Sequence, residues 1–258
     1  MKYMVLSRKS IIAVFLAVVL VVSATAIAIK VNTTQTVGLE ERLLPIYRVD
    51  TDKNQVALTF NAAWEADEVE QVLQILNEYD AKCTFFVLGE FVEKNPEAIK
   101  MITEAGHEIA NHSTSHPDMT TIAPEKISEE ISRCDELISE VSSNSVKLFR
   151  APSGAYSNSV ITVAKKLGHT VIQWDVDSRD WMTDSSINSI YKNCTTDTKS
   201  GSIILFHIGT KNGLTPEALP LVLDNLASQG FSFVKVSDMM YPIDNTSYID
   251  LKGEQRLK

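Results

Sequence analysis

From Lys53 onward, short β-branched apolar runs alternate with longer stretches whose apolar residues recur every three or four positions. The runs predict strands over Val56–Phe60, Thr84–Leu88, Glu108–Asn111, Lys147–Arg150, Thr170–Trp174, Ser202–His207 and Phe231–Val236. Between them, Val69, Val72, Leu73 and Leu76 mark one helical face, and Ile127, Ile131, Cys134, Ile138 and Val141 mark another. Asn95-Pro96 and Thr215-Pro216 read as N-caps followed by proline at the first helical position. Gly106, Gly168 and Gly230 stand where helices should close before the next strand. Strand–helix alternation ending in a last strand predicts a parallel α/β fold, and about seven strands suggest an irregular or distorted (β/α) barrel over residues 53–240.

The first thirty residues follow another pattern. Lys2, Arg8 and Lys9 precede an uncharged apolar run over 11–29, close to the roughly 20 residues that span a bilayer as a helix. A basic N-terminal flank predicts a single-pass anchor with the following domain outside the cytoplasm. The alternative is a secreted form cleaved near Ala26, after Ala24-Thr25-Ala26. Residues 31–52 read as a polar connector with a first short strand, and 241–258 as a polar tail expected to be loosely ordered.

Charge narrows the partners. A net charge of −9 makes a phosphate backbone an unlikely ligand, so no nucleic acid is expected, and a neutral or cationic glycan or a small molecule fits better. No obligate protein partner is evident. Three cysteines allow at most one disulfide. Cys83 and Cys134 lie in apolar patterns and read as buried, whereas Cys194 lies in a polar stretch and reads as exposed.

In parallel α/β folds, sites form at the carboxyl ends of the strands. Asn61 follows the first predicted strand. His112 follows the third, with His116 four residues later. Arg150 ends the fourth, Asp177 and Asp180 follow the fifth beside Trp181, and His207 ends the sixth. His107 and His169 each follow a glycine and read as turn residues. A histidine pair four apart can face one point, and imidazole is the commonest protein ligand for zinc-like ions.

Five ordered motifs carry a resemblance: Thr59-Phe60-Asn61-Ala62, His112-Ser113-Thr114-Ser115-His116, Arg150-Ala151-Pro152-Ser153-Gly154, Asp177-Ser178-Arg179-Asp180-Trp181 and Leu205-Phe206-His207. In this order they resemble the polysaccharide deacetylases with a NodB-homology domain (carbohydrate esterase family 4). Pro45-Ile46-Tyr47-Arg48-Val49 and Asn61-Ala62-Ala63-Trp64 look closest to the sporulation-type branch. The resemblance implies a distorted barrel and a hydrolase that removes acetyl groups from an N-acetylated, peptidoglycan-like or chitin-like envelope glycan with a divalent metal, often zinc. It assigns His112 and His116 to the metal, His207 to the general acid, and Asp180 or Asp177 to tuning that histidine. Arg150 would orient the base, and Trp181, Pro152, Gly154 and Leu205 would contact substrate.

The chain departs from the pattern at two positions. Asn61 stands at the position of the family's base, and Ala62 at that of its metal carboxylate. An amide has no useful basicity near neutral pH, and alanine has no donor atom. Asn61 itself, Glu65, Asp67, Asp177 and His207 are the candidates to compensate. The alternative is a catalytically impaired, deacetylase-like glycan-binding protein.

Overall fold

A computed structural model of the chain describes residues 7–34, 42–63, 65–143, 145–240, 248–249 and 252–256. Two compact units separate at Arg42. The first contains α1 (Arg8–Thr34), which carries the apolar run. Within α1 the Ser23 and Thr25 hydroxyls donate to the carbonyls of Val19 and Val21 at 2.7 and 2.9 Å, so neither leaves an unpaired donor on the apolar surface. The side chains of Ile11, Ala24 and 26–34 lie outside the described residues, and so does the side chain of Ala26 at the expected cleavage point. Among the described residues no helix is long and apolar enough to cross a membrane.

The second unit, Leu43–Lys258, is the α/β domain. Its strands are β1 (Arg48–Asp50), β2 (Gln55–Ala62), β3 (Thr84–Val87), β4 (Glu108–Asn111), β5 (Ser145–Phe149), β6 (Thr170–Val171), β7 (Val176–Asp177), β8 (Ile203–Ile208), β9 (Ser232–Phe233), β10 (Tyr248–Ile249) and β11 (Glu254–Arg256). Its helices are α2 (Val69–Glu78), α3 (Gly89–Lys94), α4 (Pro96–Glu104), α5 (Pro124–Val141), α6 (Asn158–Lys166), α7 (Ile187–Thr195), α8 (Thr215–Ser228) and α9 (Val236–Met240). The main sheet runs β6-β5-β4-β3-β2-β8-β7, with β9 added beside the start of β2, and every pairing in it is parallel. The sheet curls into a half-barrel: β6 and β7 are its two ends and do not pair with each other.

Strand β2 is central because all eight of its residues are buried, as a strand covered on both faces requires. Phe60 stacks on Phe85 at 5.0 Å and on Phe206 at 5.5 Å, tying β2 to both neighbours. The register then sets the site. Asn61 lies opposite His207, and Val87 lies opposite Asn111, so the polar strand ends share one rim. The predicted helical faces are buried at Val69, Val72 and Leu76 of α2 and at Ile127, Ile131, Cys134 and Ile138 of α5.

Four expectations need correction. The strand expected over 170–174 is cut to two residues, and a separate β7 follows. Asp175 causes the break: its carboxylate accepts from the Ile203 amide at 2.8 Å and the Ser202 hydroxyl at 3.0 Å, so a side chain replaces part of the ladder. Over 231–236 only two residues are strand, because Val236 opens α9 with its amide on the Thr84 hydroxyl. The described tail is paired rather than loose: β11 lies parallel to β1 and antiparallel to β10. Tyr47 donates its amide to the Gly253 carbonyl at 2.7 Å, and Arg48 pairs with Glu254. Backbone pairing of this kind leaves no trace in hydropathy. Cys194 is fully buried on α7 beneath its polar neighbours, so all three cysteines are free, buried thiols.

Candidate active site at the carboxyl rim of the sheet

Asn61, Ala63, His112, His116, Ser153, Trp174, Asp177, Trp181, Leu205 and His207 line a cavity of about 380 Å³ at the predicted rim. That volume falls within the roughly 300–1,000 Å³ range of small-molecule sites. Of the residues expected to touch substrate, Trp181 and Leu205 line it, whereas Ser153 does so in place of Pro152 and Gly154. Gly154 has a packing role instead. A Cβ there would come within 2.8 Å of the Trp174 ring, so the glycine lets Trp174 form the wall. Trp181 is 52% exposed and also borders a second cavity of about 670 Å³ with Glu65, Thr183, Gly209, Thr210, Lys211 and Asn212. It is a groove aromatic, not a core one.

Arg150 sits fully buried behind this wall. Its Nη1 donates to Asn61 Oδ1 and its Nη2 to the Gln173 carbonyl, both at 3.0 Å, while Nε has no partner among the described residues. Its guanidinium lies 4.0 Å from the Phe86 ring centroid and 5.4 Å from that of Trp174. Burial pulls its pKa down to about 9, with Asp177 acting weakly the other way. No carboxylate pairs with it among the described residues. A buried cation therefore meets an amide where a carboxylate would neutralise it.

His112 and His116 come together at the rim. The rings of His112 and His116 stand edge-on at 5.3 Å between centroids. His112 Nδ1 lies 2.8 Å from the Arg150 carbonyl, which can only accept, so Nδ1 carries the proton and Nε2 is the lone-pair atom. Burial holds the His112 pKa well below its usual value, and burial also lowers that of His116. Neutral imidazoles suit a metal, but the donor set falls short of one. Ala62 is fully buried and offers no ligand atom, and among the described residues no group of three or more His, Cys, Asp or Glu could hold an ion. A catalytic zinc needs about three protein ligands. The residues present do not fit a catalytic zinc.

His207 is held as an acid–base partner would be. Its Nδ1 donates to Asp180 Oδ1 at 2.7 Å, while Asp180 Oδ2 accepts from the His207 amide at 2.7 Å and from Thr215 Oγ1 at 2.8 Å. Thr215, expected as an N-cap, lies inside α8, which Leu214 caps, and its hydroxyl serves Asp180 instead. Asp177 lines the cavity, and its Oδ1 accepts from the Arg179 amide at 2.8 Å. Neither spare carboxylate on the 65–67 segment borders the smaller cavity, and Glu65 belongs to the wall of the larger one.

Two positioning residues escaped the sequence pattern. Glu68 Oε2 accepts from the Gly209 amide at 2.7 Å, fixing the loop after His207, and burial raises its pKa. Glu130 on α5 accepts from the amides of Thr114 and Ser115 at 3.0 and 2.9 Å and from the Ser115 hydroxyl at 2.9 Å. That loop needs holding, since Ser113 and His116 sit at φ 72° and 60°, a conformation that costs a non-glycine residue about 1 kcal/mol or more. The only sequence signal for Glu130 is an acidic residue beside the apolar stripe of α5. Glu130→Gln should lower the unfolding free energy by about 2 kcal/mol, because one amide oxygen cannot replace two carboxylate oxygens. A urea titration with an unchanged slope and a midpoint equal to that of the native chain would show that the loop is held otherwise.

The polysaccharide deacetylase family model matches residues 48–172. The uncharacterized protein YlxY of Bacillus subtilis is 32% identical over 196 residues, covering 76% of this chain and 60% of that protein. A peptidoglycan-N-acetylglucosamine deacetylase of Bacillus cereus is 32% identical over 75% of this chain and 92% of its own length. Among solved structures, BA3943, a carbohydrate esterase family 4 pseudoenzyme from Bacillus anthracis, superposes with a TM-score of 0.71 at 31% identity, covering 76% of this chain and 68% of that one. A mutant of it with restored enzymatic activity superposes at 0.72, also at 31% identity, covering 76% and 70%.

Proposed function

Because the chain belongs to the polysaccharide deacetylase family, we propose that it is a cell-envelope glycan receptor on the deacetylase fold. It holds an N-acetylated, peptidoglycan-like or chitin-like chain in the rim cavity and does not remove its acetyl groups. One observation carries this reading: Arg150, fully buried, donates to the amide of Asn61 and forms no ion pair with a carboxylate among the described residues. Without a carboxylate there, no group in that position can take a proton from water. BA3943, a pseudoenzyme whose mutant has restored enzymatic activity, supports the idea that this fold persists without catalysis. The activity of the Bacillus cereus relative on peptidoglycan supports the glycan class.

A second reading, residual deacetylation, is favoured by the ordered His207–Asp180 pair, which is ready to protonate a leaving amine. Acetate release from N-acetylated chito-oligosaccharides and peptidoglycan fragments separates the two. The receptor reading expects saturable binding with no acetate above the His207→Ala background. Release in native protein that His207→Ala abolishes would establish the hydrolase.

We propose a location outside the cytoplasm from the basic flank and apolar run over 11–29 alone; the mass of the mature amino terminus tells retention of that run from release near Ala26. The Pro45–Val49 pattern supports a place near the sporulation-type branch.

A further inference from the structure

A pocket whose histidine pair has no third metal ligand grouped with it among the described residues still presents a definite set of hydrogen-bonding atoms. The Arg150 Nη1 donor requires that Asn61 present its Oδ1 to the guanidinium, which leaves the Nδ2 protons as the Asn61 donors for the cavity it lines. On His112 the bond to the Arg150 carbonyl fixes the opposite polarity, leaving Nε2 as an acceptor. Ala63, Leu205 and Trp174 supply apolar wall between these polar atoms. An acetamido group has the matching pattern: one carbonyl acceptor, one N–H donor and one methyl.

Charge on the site disfavours a dication. Arg150 is fully buried and its carbonyl lies 2.8 Å from His112 Nδ1, and its guanidinium forms no ion pair among the described residues. Asp180 is committed to His207 and Thr215, which leaves Asp177 as the carboxylate lining the cavity. A doubly charged ion on the histidine pair would sit near a buried cation with little to offset either.

We propose that this pocket recognises the acetamido group of a glycan directly and without a metal, with Asn61 Nδ2–H donating to its carbonyl and His112 Nε2 accepting its N–H. The inference rests on the glycan-receptor reading and specifies how the receptor reads its ligand.

The test is calorimetric titration of the full chain with chitotetraose, once in EDTA and once with saturating zinc. Affinities should agree within about twofold. The de-N-acetylated tetramer should bind at least about tenfold more weakly, the effect of roughly one lost hydrogen-bonded group. Asn61→Asp should weaken chitotetraose binding in EDTA by about tenfold, because a carboxylate turns the donor into an acceptor while keeping shape and the Arg150 contact. Lys166→Gln, an exposed change at the end of α6 and away from the cavity, provides the control and should bind within about threefold of native.

Binding that appears only with zinc, or an Asn61→Asp chain that binds as tightly as native in EDTA, would overturn metal-free recognition while leaving the receptor reading intact. Absence of binding to chitotetraose and to peptidoglycan fragments alike, in both buffers, would sink the receptor reading itself.

Discussion

The Asn61→Asp, Ala62→Asp double variant is expected to release acetate from N-acetylated chito-oligosaccharide in zinc buffer at least about a hundredfold faster than the native chain. A positioned general base contributes roughly 10²–10⁴-fold, and position 61 already faces the cavity opposite His207 in the strand register. The carboxylate at 61 would also inherit the Arg150 contact now made to the amide at 3.0 Å, which favours its ionised form. The carboxylate at 62 would raise the donor set from two to three, the usual number for a catalytic zinc. Ala62 is fully buried, so its replacement also places a charge in the interior. The double variant should therefore melt lower than native in EDTA and recover in zinc, as binding to the native state alone requires. A folded double variant with no gain in rate and no zinc-dependent melting shift would mean that position 62 does not face the histidine pair.

The parts of the site readable in the sequence are those fixed by chain position relative to a strand. His112, Arg150, Asp177 and His207 follow or end apolar runs, and parallel strands deliver such residues to one rim whatever the loops do. The parts that were not readable depend on loops and side chains that substitute for backbone. Asp175 breaks a strand by bonding to the Ile203 amide, and Thr215 leaves its expected capping position to serve Asp180. Four of the five non-glycine residues at positive φ among the described residues, namely Ser113, His116, Ser153 and Arg179, lie in the site loops, and no residue pattern announces them. Glu130 and Glu68 hold those loops from helices whose sequence explains only their buried faces. The polarity of the tail said nothing of the pairing of β11 with β1 and β10, because strand pairing is made by main-chain groups common to every sequence.

Arg150→Met should change native stability by less than about 1 kcal/mol, yet cost about 3–5 kcal/mol once Asn61→Asp is present. The reasoning starts from burial. In the native chain the guanidinium has lost its water and gained two hydrogen bonds and a face-on contact with Phe86, but no ion pair among the described residues. Removing such a group relieves desolvation at about the rate it sacrifices bonds, and an apolar side chain of similar size is tolerated between Phe86 and Trp174. With a carboxylate at position 61 the balance reverses. The pair neutralises itself inside the protein, and deleting one partner strands the other as an unpaired buried charge. The double-mutant cycle over positions 61 and 150 should accordingly show a coupling of about 3 kcal/mol by denaturant titration. A coupling near zero, with Arg150→Met already costing several kcal/mol in the native chain, would mean that Arg150 has an anionic partner in the folded protein. The metal-free pocket would then lose the electrostatic half of its argument.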